Sequence, residues 1–578
     1  MPPALPQYSW ILAITTIALC CSAFGNGAND VANAFATSVA ARTLTMPQSA
    51  VISVITEFFG AVVLGSRVTD TIKNGIIGLD RFIENPAVIL VVMGSAEIGS
   101  ATWLLTATKL GFPVSTTHTI VGALVGAGIG AQASVTWAWE DGSVSQIAAS
   151  WLISPFLAAA FSAIIFASLK FSVLERPNAF QKALRAIPFY LAFTTAILAL
   201  FITVEAPGAP SLEDMGAGVA IAIVLGTFFG TLALSYIFFV PYFHRVVVLE
   251  DQRMRPWHLP LGPLLWRDEP PLYFPGKTSM LKDHYLSAHS HAAEQQSGDS
   301  ESGKAPLPTG ADEQTTDNQA SQTGKAEAME AGDKERQQPE PAPIVAPRKP
   351  EPEERFLGPT AHLPAYNPHR IKSYIVYFLL QGVTRDCVTH SSDHLAVIHR
   401  RARQYDNRIE HLWTYAQVMS AVMMSIAHGS NDVANAVGPW VAVYQTYLSG
   451  TVGEDNPTPV WILAVAGFLL GAGFWFMGHH IVRALGNKLT QLSPTRGYAM
   501  ELGAAITVLL ASRLGLPVST TQTLTGAVIG VSLMNLDFGA TNWRQLGFIF
   551  FGWVLTLPAA GLIAGLLTVM SLNTPQFQ

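Results

Sequence analysis

Residues 97–126 read EIGSATWLLTATKLGFPVSTTHTIVGALVG, and residues 501–530 read ELGAAITVLLASRLGLPVSTTQTLTGAVIG. Each copy is an apolar arm, a Gly-x-Pro-Val-Ser-Thr-Thr turn and a second arm of small and apolar residues. Gly111 and Gly515 can end one helix in the left-handed conformation, Pro113 and Pro517 suit the opening of the next, and the Ser or Thr that follows favours its N-cap. The pattern predicts two helical hairpins, 86–133 and 496–535, with hydroxyl-rich tips. Glu97 and Glu501 each stand sixteen residues before the matching proline. A second element is duplicated upstream of each hairpin: GANDVANAFATS at 27–38 returns as GSNDVANAVGPW at 429–440. Trp151 and Pro155 are loosely echoed by Trp553 and Pro558, so two repeats cover about 8–170 and 411–570.

The composition around these repeats belongs in a bilayer. Half of the 578 residues are hydrophobic and 13% are charged, against about a quarter charged in an ordinary soluble domain. A spanning helix needs roughly 20 apolar residues. Twelve stretches meet or approach that length: 8–41, 48–66, 86–110, 114–133, 147–170, 184–204, 214–241, 411–447, 458–480, 496–514, 517–535 and 544–570. All are expected to be helices, which makes the chain an all-α polytopic membrane protein. The first stretch lacks a basic leader and a small-residue cleavage site, and is expected to stay in the mature protein. From the start of one copy to the start of the other the chain crosses five times if 86–133 is re-entrant, and seven times if both arms span. Both numbers are odd, so inverted-topology repeats are expected, the usual pointer to a secondary transporter with its site near the midplane.

The expected organisation is a first repeat over 1–170, connecting transmembrane helices over 171–241, a largely disordered hydrophilic loop over 242–370, an amphipathic helix over 371–408 and a second repeat over 409–578. From Ser287 to Arg355 there is no aromatic residue, and Gly, Ser, Gln, Glu, Lys and Pro dominate. Such a stretch cannot offset its ordering entropy, and it reads as a passive tether in preference to a regulatory site. Residues 371–408 alternate Tyr374, Val376, Phe378 and Leu379 with polar groups and end in His399, Arg400, Arg401 and Arg403. They suit a helix on the membrane surface or one packed against the body of the protein. Segments 1–7, 134–146, 205–213, 448–457 and 571–578 contain no Lys or Arg. By the positive-inside rule, 242–408 is cytoplasmic and both termini are extracellular. Segment 67–85 dissents with Arg67, Lys73 and Arg81, balanced by Asp70, Asp80 and Glu84.

Other classes fall away. A net charge of −6 with no long basic run gives nucleic acid nothing to bind, and Cys20, Cys21 and Cys387 are too few for a disulfide framework or a four-cysteine metal site. No nucleophilic triad in credible context, metal-ligand cluster or phosphate-cradling Walker loop is present, so neither an enzyme nor a cofactor is expected.

Asn29, Asp30 and Asn33 interrupt the first apolar stretch, and Asn431, Asp432 and Asn435 repeat them. Aspartate at a helix centre costs about 2.5–3.5 kcal/mol on insertion scales, so it faces a protein interior or an aqueous cavity and is functional by default. Carboxylate and amide oxygens are the hard ligands that an alkali cation prefers, and Gly25, Gly27 and Gly429 can let the helices open and add carbonyls. Cation coordination is therefore preferred to a packing role. At the tips, Ser115, Thr116, Thr117, Ser519, Thr520 and Thr521 add hydroxyl donors to the free N–H groups of a helix N-terminus, which suits an oxyanion such as phosphate. Helix capping is the plainer alternative. Lys109 and Arg513 read as residues that neutralise a helix C-terminus. Glu57, Glu97 and Glu501 are candidate cation ligands, proton carriers or gates, weighed evenly against neutral buried acids. His118, matched by Gln522, reads as a packed polar residue.

GANDVANA and its second copy, PVSTT in both halves and the hydrophilic central insert resemble the inorganic phosphate transporter (PiT) family, particularly its fungal sodium-coupled permeases. The resemblance covers nearly all of the chain except the linker. It implies a cation-coupled phosphate symporter of the plasma membrane with two re-entrant hairpins. Phosphate would be held by Ser115, Thr116, Thr117, Ser519, Thr520 and Thr521, and sodium by Asp30, Asn33, Asp432 and Asn435. Glu57, Glu97 and Glu501 look like the family's transport-sensitive glutamates. The chain departs from the commoner pattern at Gly429-Ser430 and at Gln522, where His is frequent. The expectation is sodium-coupled import of phosphate by alternating access, with proton coupling, another oxyanion such as sulfate, or a sensing role as alternatives. A homodimer and regulatory partners of the 242–370 loop are left open.

Overall fold

The structure is a computed structural model describing residues 3–574 apart from 141, 206–215, 286–349, 389–392 and 454–455. Among the described residues the architecture is helical, and the one extended pairing is an isolated bridge between Ile77 and Val135. The first copy comprises α1 (Ser9–Asp30), α2 (Ala32–Ala40), α3 (Met46–Leu64), α4 (Ser66–Asn74), α5 (Ala87–Lys109), α6 (Thr116–Gly130) and α7 (Val144–Leu169). Helices α8 (Ala179–Glu205) and α9 (Ala217–Leu234) follow, then α10 (Pro368–Thr384) and α11 (Asp393–Arg401). The second copy comprises α12 (Asn407–Ser449), α13 (Val460–Met477), α14 (His479–Leu489), α15 (Pro494–Arg513), α16 (Thr520–Leu533) and α17 (Trp543–Leu572).

Eight helical stretches among the described residues are long and apolar enough to cross a membrane, fewer than the twelve expected. The other four are helices of a different kind. At 1.5 Å per residue, α6 and α16, with 15 and 14 residues, reach only about 22 Å against a hydrocarbon core of about 30 Å. They are the short second arms of the hairpins. Helices α12 and α15 are long, but their apolar run is diluted by Glu410, Gln417, His428, Asp432, Arg496 and Glu501, all buried within the protein.

Packing follows the repeat. Helix α1 lies on α5 and α13, and α12 correspondingly on α15 and α3; α6 packs on α17, the last helix of the other copy, and α16 on α7. The expected opening of the NDVAN helices is only partly realised. Helix α1 ends at Asp30 and α2 starts at Ala32, whereas α12 runs unbroken for 43 residues. Gly25 and Gly27 stay inside regular helix, because Gly27 serves contact rather than unwinding: a Cβ there would lie 1.8 Å from the Leu470 carbonyl oxygen. Small residues let membrane helices approach this closely. Gly27→Ala is therefore expected to cost about 3 kcal/mol through overpacking. Gly226→Ala, with nothing within 4 Å of the new Cβ, should leave the melting temperature in detergent unchanged. Equal melting temperatures for the two variants would contradict this packing.

The hydrophilic loop is more ordered than its composition as a whole suggests. Residues 242–285 are folded, with Tyr242, Phe243, Val246, Val247, Met254, Leu265 and Tyr285 buried, since this part of the loop still carries aromatic and aliphatic anchors. The chain is folded again from Pro350, through a helical turn at Glu353–Leu357. Most of the predicted linker, 286–349, lies outside the described residues. The expected helix over 371–408 is two helices, α10 and α11. Helix α10 packs on the body, where Trp475 Nε1 donates to the Leu379 carbonyl at 2.8 Å, and leaves Ile375 and Phe378 exposed. Segment 67–85 is largely helical, and Lys73 is 4% exposed, donating to Gln445 at 3.2 Å. Burial removes Lys73 from the loop charges, whereas Arg81 is exposed.

Candidate functional site

Both hairpin tips form as their glycines require. Gly111 (φ +73°) and Gly515 (φ +67°) adopt the left-handed conformation. The next amides, Phe112 N and Leu516 N, reach back to Ala107 and Ala511 carbonyls at 2.9 and 3.0 Å, closing α5 and α15 in the Schellman manner. Ser115 and Ser519 cap α6 and α16, accepting from His118 N at 3.2 Å and Gln522 N at 3.3 Å. Pro113 and Pro517 sit in the tips, two residues before the caps rather than at the first helical position. Lys109 and Arg513 occupy the last turns of α5 and α15.

The two tips meet. Thr117 Oγ1 donates to the Val518 carbonyl at 3.0 Å, and Thr521 Oγ1 lies 3.1 Å from the Val114 carbonyl, the reciprocal contact. Both NDVAN segments converge on this junction. Asp30 Oδ2 accepts from Thr116 N at 3.3 Å and Thr116 Oγ1 at 2.8 Å, and Asp30 Oδ1 from Thr521 Oγ1 at 3.0 Å. Asp432 Oδ2 lies 3.1 Å from Thr116 Oγ1 and 3.2 Å from Thr520 Oγ1. Asn33 donates to Thr520 and Thr521, and Asn435 to Thr116 and Thr117. Asn29 and Asn431 fasten the tips from behind: Asn29 donates to the Phe112 carbonyl at 3.0 Å and accepts from Val114 N at 3.1 Å, while Asn431 donates to the Leu516 carbonyl at 3.3 Å. The twelve residues read from the two motifs thus form one cluster, and all are buried.

Donor arithmetic shows what the cluster lacks. Thr116 has one hydroxyl proton, yet two carboxylates lie within 3.1 Å of its oxygen. The side-chain oxygens of Asn33, Asn431 and Asn435, together with Asp432 Oδ1, are buried without a hydrogen-bond partner. Unpaired buried carbonyl oxygens and paired carboxylates need positive charge, and oxygen-only ligation suits a hard cation. Ligand atoms of Asp30, Asp432 and His428 lie within 4.8 Å of one another.

His428 is the residue that sequence reading missed. Its Nδ1 is 2.7 Å from Glu57 Oε2 and its Nε2 is 3.0 Å from Asp432 Oδ2, and Ser425 donates to Glu57 at 2.6 Å. The Nδ1 contact is a hydrogen bond, whereas Nε2 approaches Asp432 without hydrogen-bond geometry. The available signal was its place four residues before Asp432, on the same helix face. In the first copy the matching residue is Asn26, which donates to the Asp432 carbonyl at 2.7 Å.

The three glutamates separate. Glu57 joins the cluster through His428. Glu501 lies in a cage of donors: Thr37 at 2.5 Å, Ser38 at 2.7 Å, Gln417 at 3.1 Å and Ser420 at 2.6 Å. Glu97 is equally buried, but neither of its oxygens has a hydrogen-bond partner. His118 packs its ring on Trp151, with centroids 3.9 Å apart.

The profile of the Phosphate transporter family matches residues 26–564, a span that takes in both acidic segments and both tips. The chain belongs to this family. Among its relatives, the phosphate-repressible phosphate permease pho-4 of Neurospora crassa is 37% identical over 597 aligned residues, covering 99% of each chain. Sodium-dependent phosphate transporter 2 of Homo sapiens is 29% identical, over 97% of this chain and 98% of its own. A solved structure, "The sodium-dependent phosphate transporter", matches with a TM-score of 0.63 and 25% identity, over 98% of this chain and 100% of that one. The phosphate transporter family and these relatives are transporters and permeases, not enzymes.

Proposed function

We propose that this member of the phosphate transporter family imports inorganic phosphate by sodium-coupled symport across the plasma membrane. The observation that carries the reading is the junction of the two tips, where hydroxyls of Thr116, Thr520 and Thr521 contact the paired carboxylates Asp30 and Asp432. An oxyanion cannot join two aspartates without intervening cations. Sodium held by Asp30, Asn33, Asp432 and Asn435, with Asn29 and Asn431 behind them, neutralises the carboxylates and turns the hydroxyls of Ser115, Thr116, Thr117, Ser519, Thr520 and Thr521 toward phosphate. An inside-negative potential opposes phosphate import by about 2.3 kcal/mol per charge per 100 mV, so the same cations supply the driving force. Each ligand raises the affinity for the other by one coupling energy.

The topology supporting this is a pair of inverted repeats with re-entrant hairpins, both termini outside and 242–408 cytoplasmic, with the reciprocal packing of the two copies as its support. Glu57 and Glu501 couple ion binding to movement of the helices that carry them, and Glu97 is the corresponding acid of the first hairpin. The position of His428 between Glu57 and Asp432 favours one second reading, in which a proton replaces a sodium ion. Isotopic phosphate uptake into proteoliposomes decides between them. Replacing sodium by choline at fixed pH is expected to abolish uptake. Uptake that survives choline but follows a proton gradient establishes the second reading, and indifference to both gradients overturns both.

A further inference from the structure

A cleft of about 520 Å³ opens between α10, the end of α13 and the start of α14, away from the threonine cluster. One wall is aromatic: Phe378 and Phe24 flank Phe476, with ring centroids 5.5 and 6.3 Å from it. The other wall carries Arg385, Arg483 and His479. His479 is 5% exposed and its Nδ1 has no hydrogen-bond partner, and Arg385 Nε is likewise buried and unpaired. Where the described chain resumes at Pro350, it brings two carboxylates to these arginines from beside the cleft. Glu351 meets Arg385 at 3.2 Å and Arg483 at 3.0 Å, Glu353 pairs with Arg385, and Tyr377 donates to Glu353 at 2.9 Å. Arg483 is aimed by its Nε, which donates to the Asp386 carbonyl at 2.7 Å.

Two guanidinium groups, Arg385 just past the end of α10 and Arg483 in α14, form the planar, multidentate donor set that recognises phosphate as readily as carboxylate. Arg385 and Arg483 carry two positive charges, and the two glutamates return two negative ones. A phosphate monoester dianion returns the same charge in one compact group. The aromatic wall continues onto the exposed face of α10, with Ile375 55% and Phe378 60% exposed, as expected of a helix at the lipid boundary. Basic pockets between helices suit lipid headgroups.

We propose that this cleft is a binding site for a phosphate monoester, carried by a membrane lipid headgroup or by a soluble ester, and that Glu351 and Glu353 are the intramolecular occupants such a ligand displaces. Binding releases the Glu351–Leu357 turn from α10. The proposal stands apart from the transport reading, since none of its residues belongs to the threonine cluster.

The test is hydrogen exchange over 351–357 in the full-length chain in phosphatidylcholine nanodiscs. One arm adds phosphatidylinositol 4-phosphate to the bilayer, a second adds soluble inositol 1,4-bisphosphate, and a third adds phosphatidylserine at matched charge. Exchange is expected to rise about tenfold with a monoester, comparable to losing one hydrogen bond to a charged group. A rise in the first arm alone identifies the lipid as the source, and a rise in the second identifies a soluble ester. Glu351→Gln with Glu353→Gln, which removes no packed atoms, should raise exchange without ligand and tighten binding of the probe that acts on the wild type. Arg385→Gln with Arg483→Gln should abolish the response. No change with either monoester in both the wild type and the glutamine variant, or an equal response to phosphatidylserine, overturns the proposal.

Discussion

Asp30→Asn is expected to lower sodium-driven phosphate uptake more than a hundredfold while leaving the protein folded. The carboxylate accepts from Thr116 N, Thr116 Oγ1 and Thr521 Oγ1 and shares Thr116 with Asp432. An amide keeps one acceptor but turns an NH2 group toward hydroxyls and removes the charge that the proposed sodium ion would neutralise. Removing one partner from a buried charged arrangement costs about 3–5 kcal/mol, and about 1.4 kcal/mol is tenfold in an equilibrium. Asp432→Asn should be as damaging to uptake and worse for folding, because His428 then faces one carboxylate, Glu57, instead of two. Initial rates in proteoliposomes at matched protein content provide the check. If either variant keeps a third of wild-type uptake with unchanged sodium dependence, the two aspartates are not the cation ligands.

Glu501→Gln carries the second large effect, and it concerns stability. Four donors from Thr37, Ser38, Gln417 and Ser420 converge on the two carboxylate oxygens, joining α2, α12 and α15. Glutamine offers one acceptor oxygen and an NH2 group to which Ser420 must accept, its proton turning to the Gln417 carbonyl, so the charge on which the donors converge is lost. With hydrogen bonds to a charged group each contributing about 1.5–3 kcal/mol, a loss of about 3 kcal/mol is expected, read as a melting temperature lower by several degrees in detergent. Glu97→Gln is the control. Only Ser22 stands near its oxygens, outside hydrogen-bond geometry, so the isosteric amide breaks no bond and should leave the melting temperature nearly unchanged. A larger loss at Glu97 than at Glu501 would contradict these surroundings.

Much of the site was readable because it is written twice. The duplicated Asp-Asn elements and Pro-Val-Ser-Thr-Thr turns were expected to converge, and Asp30, Thr116, Asp432 and Thr521 do touch. The capping serines and left-handed glycines were equally legible, since local chemistry decides them. What escaped depends on distant partners. His428 has no second His or Cys at ligand spacing, and its importance appears only when α3 brings Glu57 to it. The Glu501 cage draws Thr37 and Ser38 from residues more than 460 positions away. Of the twelve expected segments eight are apolar enough throughout to be counted as membrane-crossing; α12 and α15 miss that measure because buried polar groups such as Asp432 and Glu501 interrupt them. Residues 242–285 were assigned to a disordered loop because their anchors were averaged with a stretch that has none.

The reciprocal contacts between the tips, Thr117 to Val518 and Thr521 to Val114, differ by only 0.1 Å. Each tip is thus held against a threonine of the other, so the two copies share one seam, and a symporter closed by such a seam runs whichever way the coupled gradients point. Efflux from preloaded vesicles is then expected under a reversed gradient. Direction becomes a property of the surroundings, and a cell that loses its salt gradient would spill through this carrier what it had gathered.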